Sequence, residues 1–372
     1  MAGIYIHVPF CKQACHYCDF HFALNTDKRQ EMLWAFEVEL ERYRTYLAGE
    51  IPDTLYFGGG TPSLLQVDEI SRLVQKVREV FGLLPDAEIT LEANPDDLTP
   101  KTLDQLKEAG INRLSIGIQS FHENELKWMN RAHNAIQAAE CIDHALQAGF
   151  ERITLDLIYG IPVSTMESWK ENLKRFFDLG ITHLSAYSLT VEKGTPLHRL
   201  IQKGQKSNAD DGLSLAQYQV LQEEIAKNGW EQYEISNYCT QKHYSRHNTA
   251  YWNQIPYLGI GPSAHSFNGS TRSWNPRNNA WYLRSMQEGG DCRETEVLTP
   301  RDMFNERLMT GLRTSRGFHL AEAEKLTGMK IHVPALKAML ESGRVIQREG
   351  RLWLSDEGKW FADAITAELF TD

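Results

Sequence analysis

The sequence predicts an α/β fold in which a parallel sheet occupies the first half of the chain. Three features point there. A short β-branched run, a turn, an amphipathic stretch and a glycine recur as one unit up to about residue 190. Most of the amphipathic stretches are long enough to be the helical crossovers that parallel strands require. The unit occurs six times rather than eight, which predicts an open barrel segment or a doubly wound sheet.

The predicted strands are residues 4–8, 54–57, 88–92, 113–118, 152–158 and 183–189. Helical patterns lie between them at residues 28–47, 69–81, 102–109, 136–148 and 168–179. Gly49, Gly82, Gly110, Gly149 and Gly180 follow these helices, where a residue in the left-handed region is wanted. Pro100 suits the first turn of its helix, where no backbone N–H is needed.

After residue 190 the rhythm changes. Residues 192–212 are polar and punctuated by glycine, as in a linker or lid, and residues 214–228 are patterned as a helix. Residues 233–267 are rich in aromatic, His and Asn residues without a clean period. They read as irregular structure wrapped over a site, or as a core-filling aromatic segment. In the last unit, residues 301–314, 320–327 and 334–342 are helical patterns, and two short apolar runs flank the hairpin signal Glu349-Gly350. The expected domains are therefore a βα unit at 1–190, a linker and aromatic segment covering it at 191–297, and a small winged-helix-like unit at 298–372.

A net charge of −10 argues against a dominant nucleic-acid surface, so the last unit is expected to pack or to dock a partner. No run approaches the roughly twenty apolar residues of a membrane span, and the start lacks the pattern of a signal peptide. Cys141, Cys239 and Cys292 are scattered and are expected to be reduced thiols. A soluble cytoplasmic protein is the expectation.

The other three cysteines, Cys11, Cys15 and Cys18, crowd one loop directly after the first predicted strand. Three thiolates can hold three irons of a [4Fe–4S] cube and leave the fourth open to a substrate or cofactor. A zinc site completed by His16 or His21 would use the same residues. So would a disulfide framework, although nothing else in the chain looks secreted.

Chemistry in parallel βα folds collects at the C-terminal ends of the strands. Those ends carry the cysteine loop, Gly58-Gly59-Gly60-Thr61-Pro62, Glu92, Gln119, Asp156 and Ala186-Tyr187. Successive glycines let the backbone approach a ligand. Glu92 can hold ribose hydroxyls or an ammonium group, Gln119 can donate and accept, and Arg131 offers a planar fork to a carboxylate. Asp156 stands in an apolar run, where a buried carboxylate needs a partner.

These residues resemble the radical S-adenosylmethionine (SAM) superfamily, whose usual fold is a partial (β/α)6 barrel. The resemblance lies in the Cys-x3-Cys-x2-Cys loop and the glycine turn, and it narrows to the coproporphyrinogen-III-oxidase-like branch. Residues 4–11, 56–62, 92–95, 115–121 and 156–162 carry it. It implies that Cys11, Cys15 and Cys18 ligate a [4Fe–4S] cluster whose open iron is chelated by SAM. By the same resemblance Gly59, Gly60 and Thr61 would line the methionine end. Glu92, Gln119, Arg131 and Asp156 would hold ribose and carboxylate groups, and Tyr5, Phe20 and Ile158 would pack near cluster and adenine. In that family the cluster passes an electron to the sulfonium of SAM.

Two activities exist in that branch: radical decarboxylation of coproporphyrinogen III, and haem delivery by a chaperone. The chain departs from the dehydrogenase pattern, since Asp19-Phe20 follows Cys18 where a further cysteine is usual, and the longer N-terminal arm is missing. His247-Asn248-Thr249-Ala250-Tyr251-Trp252 instead resembles the His-Asn-x-x-Tyr-Trp motif of the haem chaperones. Imidazole is a common axial haem ligand and aromatics can sandwich a porphyrin. His247, Tyr251 and Trp252 are thus expected to bind haem, with His243 a rival ligand; an ordinary hydrogen-bonded histidine among packed aromatics is the other reading of His247. The implied partners are haem and apo-haemoproteins, some of them membrane-associated, with a homodimer also plausible and nucleic acid not expected.

Overall fold

The computed structural model describes residues 2–371; positions 1 and 372, the outer limits of the first and last expected domains, lie outside it. Six strands run parallel in sequence order: β1 (Gly3–Val8), β2 (Thr54–Gly59), β3 (Glu88–Ala93), β4 (Arg113–Gln119), β5 (Ile153–Tyr159) and β6 (His183–Ser188). Each of the expected strands is present. Helices between them include Arg29–Arg42, Val67–Phe81, Pro100–Glu108, Ala135–Gln147 and Met166–Asp178.

The two faces of this sheet differ in kind. Alternate residues such as Ile4, Ile6, Leu55, Phe57, Leu114 and Leu155 are fully buried in one large apolar core with the helices. The intervening positions, Tyr5, Tyr56, Glu92, Ser115, Asp156 and Ser185, are mostly polar and face the concave side. Period-two alternation in a buried strand therefore separates the packing surface from the chemistry. At the N-terminal end of the strands the concave side is closed by buried polar groups. Glu88 and Arg113 form an ion pair at 3.7 Å there, and Arg113 donates to Thr154 at 2.8 Å.

The stretch at 191–297, expected to be a linker and a cover, does something else. Its strands extend the sheet at both edges: β7 (Glu231–Glu234) and β8 (Asn237–Cys239) lie beyond β6, while β9 (Tyr257–Ile260), β10 (His265–Phe267), β11 (Thr271–Trp274) and β12 (Glu294–Val297) lie beyond β1. The result is a twelve-stranded sheet in which β9 is parallel to β1 and β8 antiparallel to β6. The physical reason is that β1 and β6 would otherwise present unpaired backbone groups at open edges.

One buried carboxylate fastens the β9 side. Glu39, on the helix Arg29–Arg42, is fully buried. It accepts from the Gly261 N–H at 2.8 Å and from Asn275, Tyr282 and Arg293, each at 2.7 Å.

The C-terminal residues form a second apolar core around Phe304, Leu308, Leu352 and Ile365. Three helices (Pro300–Leu312, Leu320–Thr327, Val333–Glu341) pack with a three-stranded sheet of β13 (Phe318–His319), which lies between the first two helices, β14 (Val345–Arg348) and β15 (Arg351–Leu354). Glu349 and Gly350 both have positive φ, 47° and 76°, as the expected two-residue hairpin turn requires. This unit meets the barrel sheet through Arg313, which pairs with Glu234 at 2.9 Å.

Candidate functional site

The cysteine loop is closed on the end of β1 by a parallel bridge between Phe10 and Ala23. The Cys11 N–H donates to Ala23 O at 3.0 Å and the Ala23 N–H to Pro9 O at 2.9 Å. The glycine turn after β2 is zipped alongside, with Gly60 N–H on Val8 O at 2.9 Å and Thr61 N–H on Phe10 O at 2.7 Å. Side chains would prevent this. A Cβ on Gly60 would sit 2.5 Å from Phe10 O, and Gly59 has φ +106° with the His7 ring 2.6 Å from any Cβ.

Cys11, Cys15 and Cys18 line one cavity of about 800 Å³ together with Gly59, Gly60, Thr61, Glu92, Gln119, Arg131, Asp156 and Ile158. Phe20 stands on its rim, 69% exposed. The topology thus assembles almost all the residues expected to serve cluster and SAM. Tyr5 is the exception. It lies one layer deeper, its ring stacked on Tyr56 at 5.9 Å and its hydroxyl 3.3 Å from His7 Nδ1.

Burial pushes the Cys11 thiol up to about 11 and Cys18 to about 12, so a cationic centre is needed to hold them as thiolates. Thr61 Oγ1 donates to Cys11 Sγ at 3.4 Å and Arg131 Nη1 to Cys15 Sγ at 3.3 Å, contacts suited to ligating sulfur. Of the histidines weighed as zinc ligands, His16 has its Nδ1 3.1 Å from Trp128 O and His21 its Nε2 2.7 Å from Asn279 Oδ1. Among the described residues no three His, Cys, Asp or Glu side chains are arranged round a single ion, and all six cysteines are free thiols.

The wall beside the cysteine loop is built for a polar ligand. Arg131 follows Asn130, whose left-handed φ of 60° ends the helix Glu123–Met129 and turns the next side chain inward. Its Nη2 donates to Gly117 O at 2.7 Å and Asn94 Oδ1 at 2.8 Å, and Nη1 lies 3.4 Å from Tyr17 OH. The Nε is buried without a partner. An orphaned guanidinium donor in a thiol-lined cavity fits the carboxylate of an amino-acid ligand.

Glu92 and Asp156, half-buried against the cavity, are both pushed up by burial to about 7. Glu92 is aimed by two donors from β2, Tyr56 OH to Oε1 at 2.8 Å and Gly59 N–H to Oε2 at 3.1 Å. Gln119 takes a left-handed φ of 63° where the pairing of β4 with β5 slips. Strain of this kind re-aims a side chain at a functional rim.

The residues expected to bind haem are placed differently. His247 lies on the helix Arg246–Trp252, only 2% exposed, at the N-terminal end of β1 and β2, where the cysteines do not reach. Both ring nitrogens are engaged, Nδ1 with Thr54 Oγ1 at 2.8 Å and Nε2 with Tyr251 OH at 3.0 Å. His247 is thus hydrogen-bonded among packed aromatics, its ring stacked on Tyr56 at 4.9 Å and edge-on to Tyr251 at 4.8 Å. Tyr251 packs edge-on to Tyr257 at 4.4 Å, and Trp252 lies under the Arg313 guanidinium at 5.2 Å.

Sequence reasoning missed Tyr56 and Asn94 as supports of Glu92 and Arg131. Their signal was available, since both stand in the stretches that carry the family resemblance. It also missed Arg313, Lys359, Trp360 and Phe361, which the C-terminal unit brings to the cavity wall. Nothing local marks those four.

Comparison with known proteins agrees with this geometry. Residues 5–176 match the radical SAM superfamily and residues 298–361 the HemN C-terminal domain, so fold and site define a radical SAM protein. Along nearly its whole length the chain is 32% identical to the heme chaperone HemW of Bacillus subtilis, covering 98% of each chain. It is 33% identical to HemW of Mycobacterium tuberculosis H37Rv, covering 99% of this chain and 94% of the relative. The chain belongs to the HemW family of the radical SAM superfamily. In fold it is similar to coproporphyrinogen III oxidase (HemN) from Escherichia coli, with a TM-score of 0.86 over 100% of this chain and 90% of the other at 24% identity. Membership implies a [4Fe–4S] cluster and SAM, and the thiol loop and orphaned arginine fit them. Among the described residues no helix is long and apolar enough to cross a membrane.

Proposed function

We propose that this chain is a cytoplasmic haem chaperone that binds haem and passes it to apo-haemoproteins, with a [4Fe–4S] cluster and SAM at the barrel mouth. The observation that carries this reading is the end-to-end likeness to chains named heme chaperone. Cys11, Cys15 and Cys18 would ligate the cluster. Arg131 and Gln119 would meet the carboxylate of SAM, and Glu92 and Asp156 its ribose or ammonium groups. When bound, the pair supplies one-electron chemistry. The chain's own work is to hold the ligand's polar ends and to keep water from the thiols.

For the cargo, the outer half of the cavity is the better seat than His247. Phe20, Tyr187 and Phe361 expose 69, 43 and 39% of their area there, and Arg313 and Lys359 share the wall. Haem is a flat apolar macrocycle bearing two carboxylates, which calls for rings on its faces and cations at its edge. Lys359 is bonded to the exposed Asp356 at 2.8 Å, a surface pair worth about 0–1 kcal/mol that yields readily to a ligand carboxylate. A carrier that must release its cargo gains from gripping the macrocycle rather than the iron.

Anaerobic purification, cluster reconstitution and a spectroscopic haem titration test this reading, with Phe20→Ala, Phe361→Ala and Lys359→Ala beside the parent. Haem binding weakened by each substitution is expected. Absence of haem binding together with decarboxylation of coproporphyrinogen III would transfer the chain to the dehydrogenase activity.

A further inference from the structure

We propose that Tyr56 is a positioning residue for Glu92, and that His247 clamps Tyr56 from below. This rests on the assignment of Glu92 to SAM made above.

The geometry runs as a chain of contacts from the floor of the barrel to its mouth. At the floor His247 is fixed from three directions: Thr54 Oγ1 on Nδ1, Tyr251 OH on Nε2, and its own N–H donating to Glu88 Oε1 at 3.1 Å. Gly3 leaves room for it, because a Cβ there would stand 3.3 Å from His247 Cε1. The imidazole stacks on the Tyr56 ring at 4.9 Å and 23°. Tyr5 stacks on Tyr56 at 5.9 Å and 25° and on His247 at 6.4 Å. The three rings form one packed triangle. From its upper edge the Tyr56 hydroxyl reaches Glu92 Oε1 at 2.8 Å, while β2 supplies the second donor at Gly59. Rotation of Tyr56 is thus blocked by two rings, and Glu92 inherits that rigidity.

His247 plays no charged part in this. Burial lowers it to about 3, so it is neutral across the working range, and the hydroxyls of Thr54 and Tyr251 can satisfy either tautomer. Its role is shape plus two hydrogen bonds. An imidazole suits that role because it is flat enough to stack and polar enough to bond two hydroxyls inside an otherwise dry layer.

The groups facing Glu92 are Tyr5 from β1, Tyr56 from β2, Asp156 from β5, Tyr187 from β6, Tyr251 from the helix Arg246–Trp252, and Cys11 from the loop. All the tyrosines are pushed up by burial and stay neutral, which leaves Glu92 and Asp156 as the groups that titrate near neutrality. Donation from Tyr56 favours the ionised form of Glu92, the better acceptor for ribose hydroxyls. Removing that donor moves the protonation of Glu92 to higher pH and leaves the carboxylate free to turn.

The experiment uses full-length protein with reconstituted cluster and measures SAM affinity by equilibrium dialysis from pH 6 to 9. Haem affinity and iron content are measured in parallel. Tyr56→Phe, which removes one oxygen, is expected to lower SAM affinity about tenfold at pH 7, the scale of one hydrogen bond to a charged group. The loss narrows as pH rises, and iron and haem binding are retained. Repeating the profile in an Asp156→Asn background assigns the shift to Glu92. His247→Ala is expected to move SAM affinity the same way with haem binding kept, and His247→Phe, which restores the ring, to recover most of the loss. Unchanged SAM affinity and pH profile in Tyr56→Phe would overturn the proposal, as would loss of haem binding with SAM binding intact in both His247 variants. A parent protein that loads iron yet binds no SAM removes the SAM assignment itself, an outcome distinct from these.

Discussion

Arg131→Lys isolates the guanidinium whose buried Nε has no protein partner. The guanidinium divides its donors. Two nitrogens hold Gly117 O, Asn94, Tyr17 and Cys15 Sγ, while Nε has no partner. Lysine keeps the charge but replaces a fixed fork with a point donor, which cannot bond Gly117 O, serve Cys15 and face a carboxylate at once. Loss of one hydrogen bond to a charged ligand costs about 1.5–3 kcal/mol, which is roughly ten- to 150-fold in affinity. The assay is equilibrium dialysis of cluster-loaded protein against labelled SAM, with iron per chain as the control, because Arg131 also touches a cluster cysteine. Weaker SAM binding at unchanged iron content is expected. An affinity within twofold of the parent, at full iron, would refute the assignment of the orphaned donor to the ligand.

Two further outcomes concern stability. Glu39→Ala leaves Arg293 buried and uncompensated, and breaking a buried pair costs about 3–5 kcal/mol; urea denaturation should show it, and a loss below about 1 kcal/mol would contradict the tie between the first helix and the β9 side. Asp156 and Glu92 are raised to about 7 by burial, so their contribution to apo-protein stability is full below the ordinary carboxylate range and is lost as pH rises through about 7. Melting temperatures of the apo parent should therefore fall between pH 5 and 8, and Asp156→Asn should flatten part of that slope; an equal slope in both proteins would count against the buried carboxylate.

What was legible in the sequence follows a physical rule: signals carried by consecutive residues, or repeated from unit to unit, survive without a structure. Strands β1 to β6 announce themselves through β-branched runs recurring with helical stretches, and helix ends through glycine. The cysteine spacing and the glycine turn are local as well, because both must be built from consecutive residues. The rim residues Glu92, Gln119 and Asp156 could be gathered on paper since parallel βα topology sends successive strand ends to one side. Strands β7 to β12 could not be seen, because runs of three or four residues carry too little periodicity when no repeating unit or recognised turn signal frames them.

The sequence by itself determined the α/β class, the three-thiol loop and the polar lining of one barrel end, since each depends on chemistry written within a single element. Only the tertiary structure shows which side chains surround His247. They are Thr54, Tyr56 and Tyr251, brought to it by strand β2 and by its own helix. The same holds for the aromatic rim, where Phe20 and Phe361 stand far apart in the chain and meet across the cavity because the second core docks on the edge of the sheet. Contacts between distant elements are set by packing, and packing leaves no local mark.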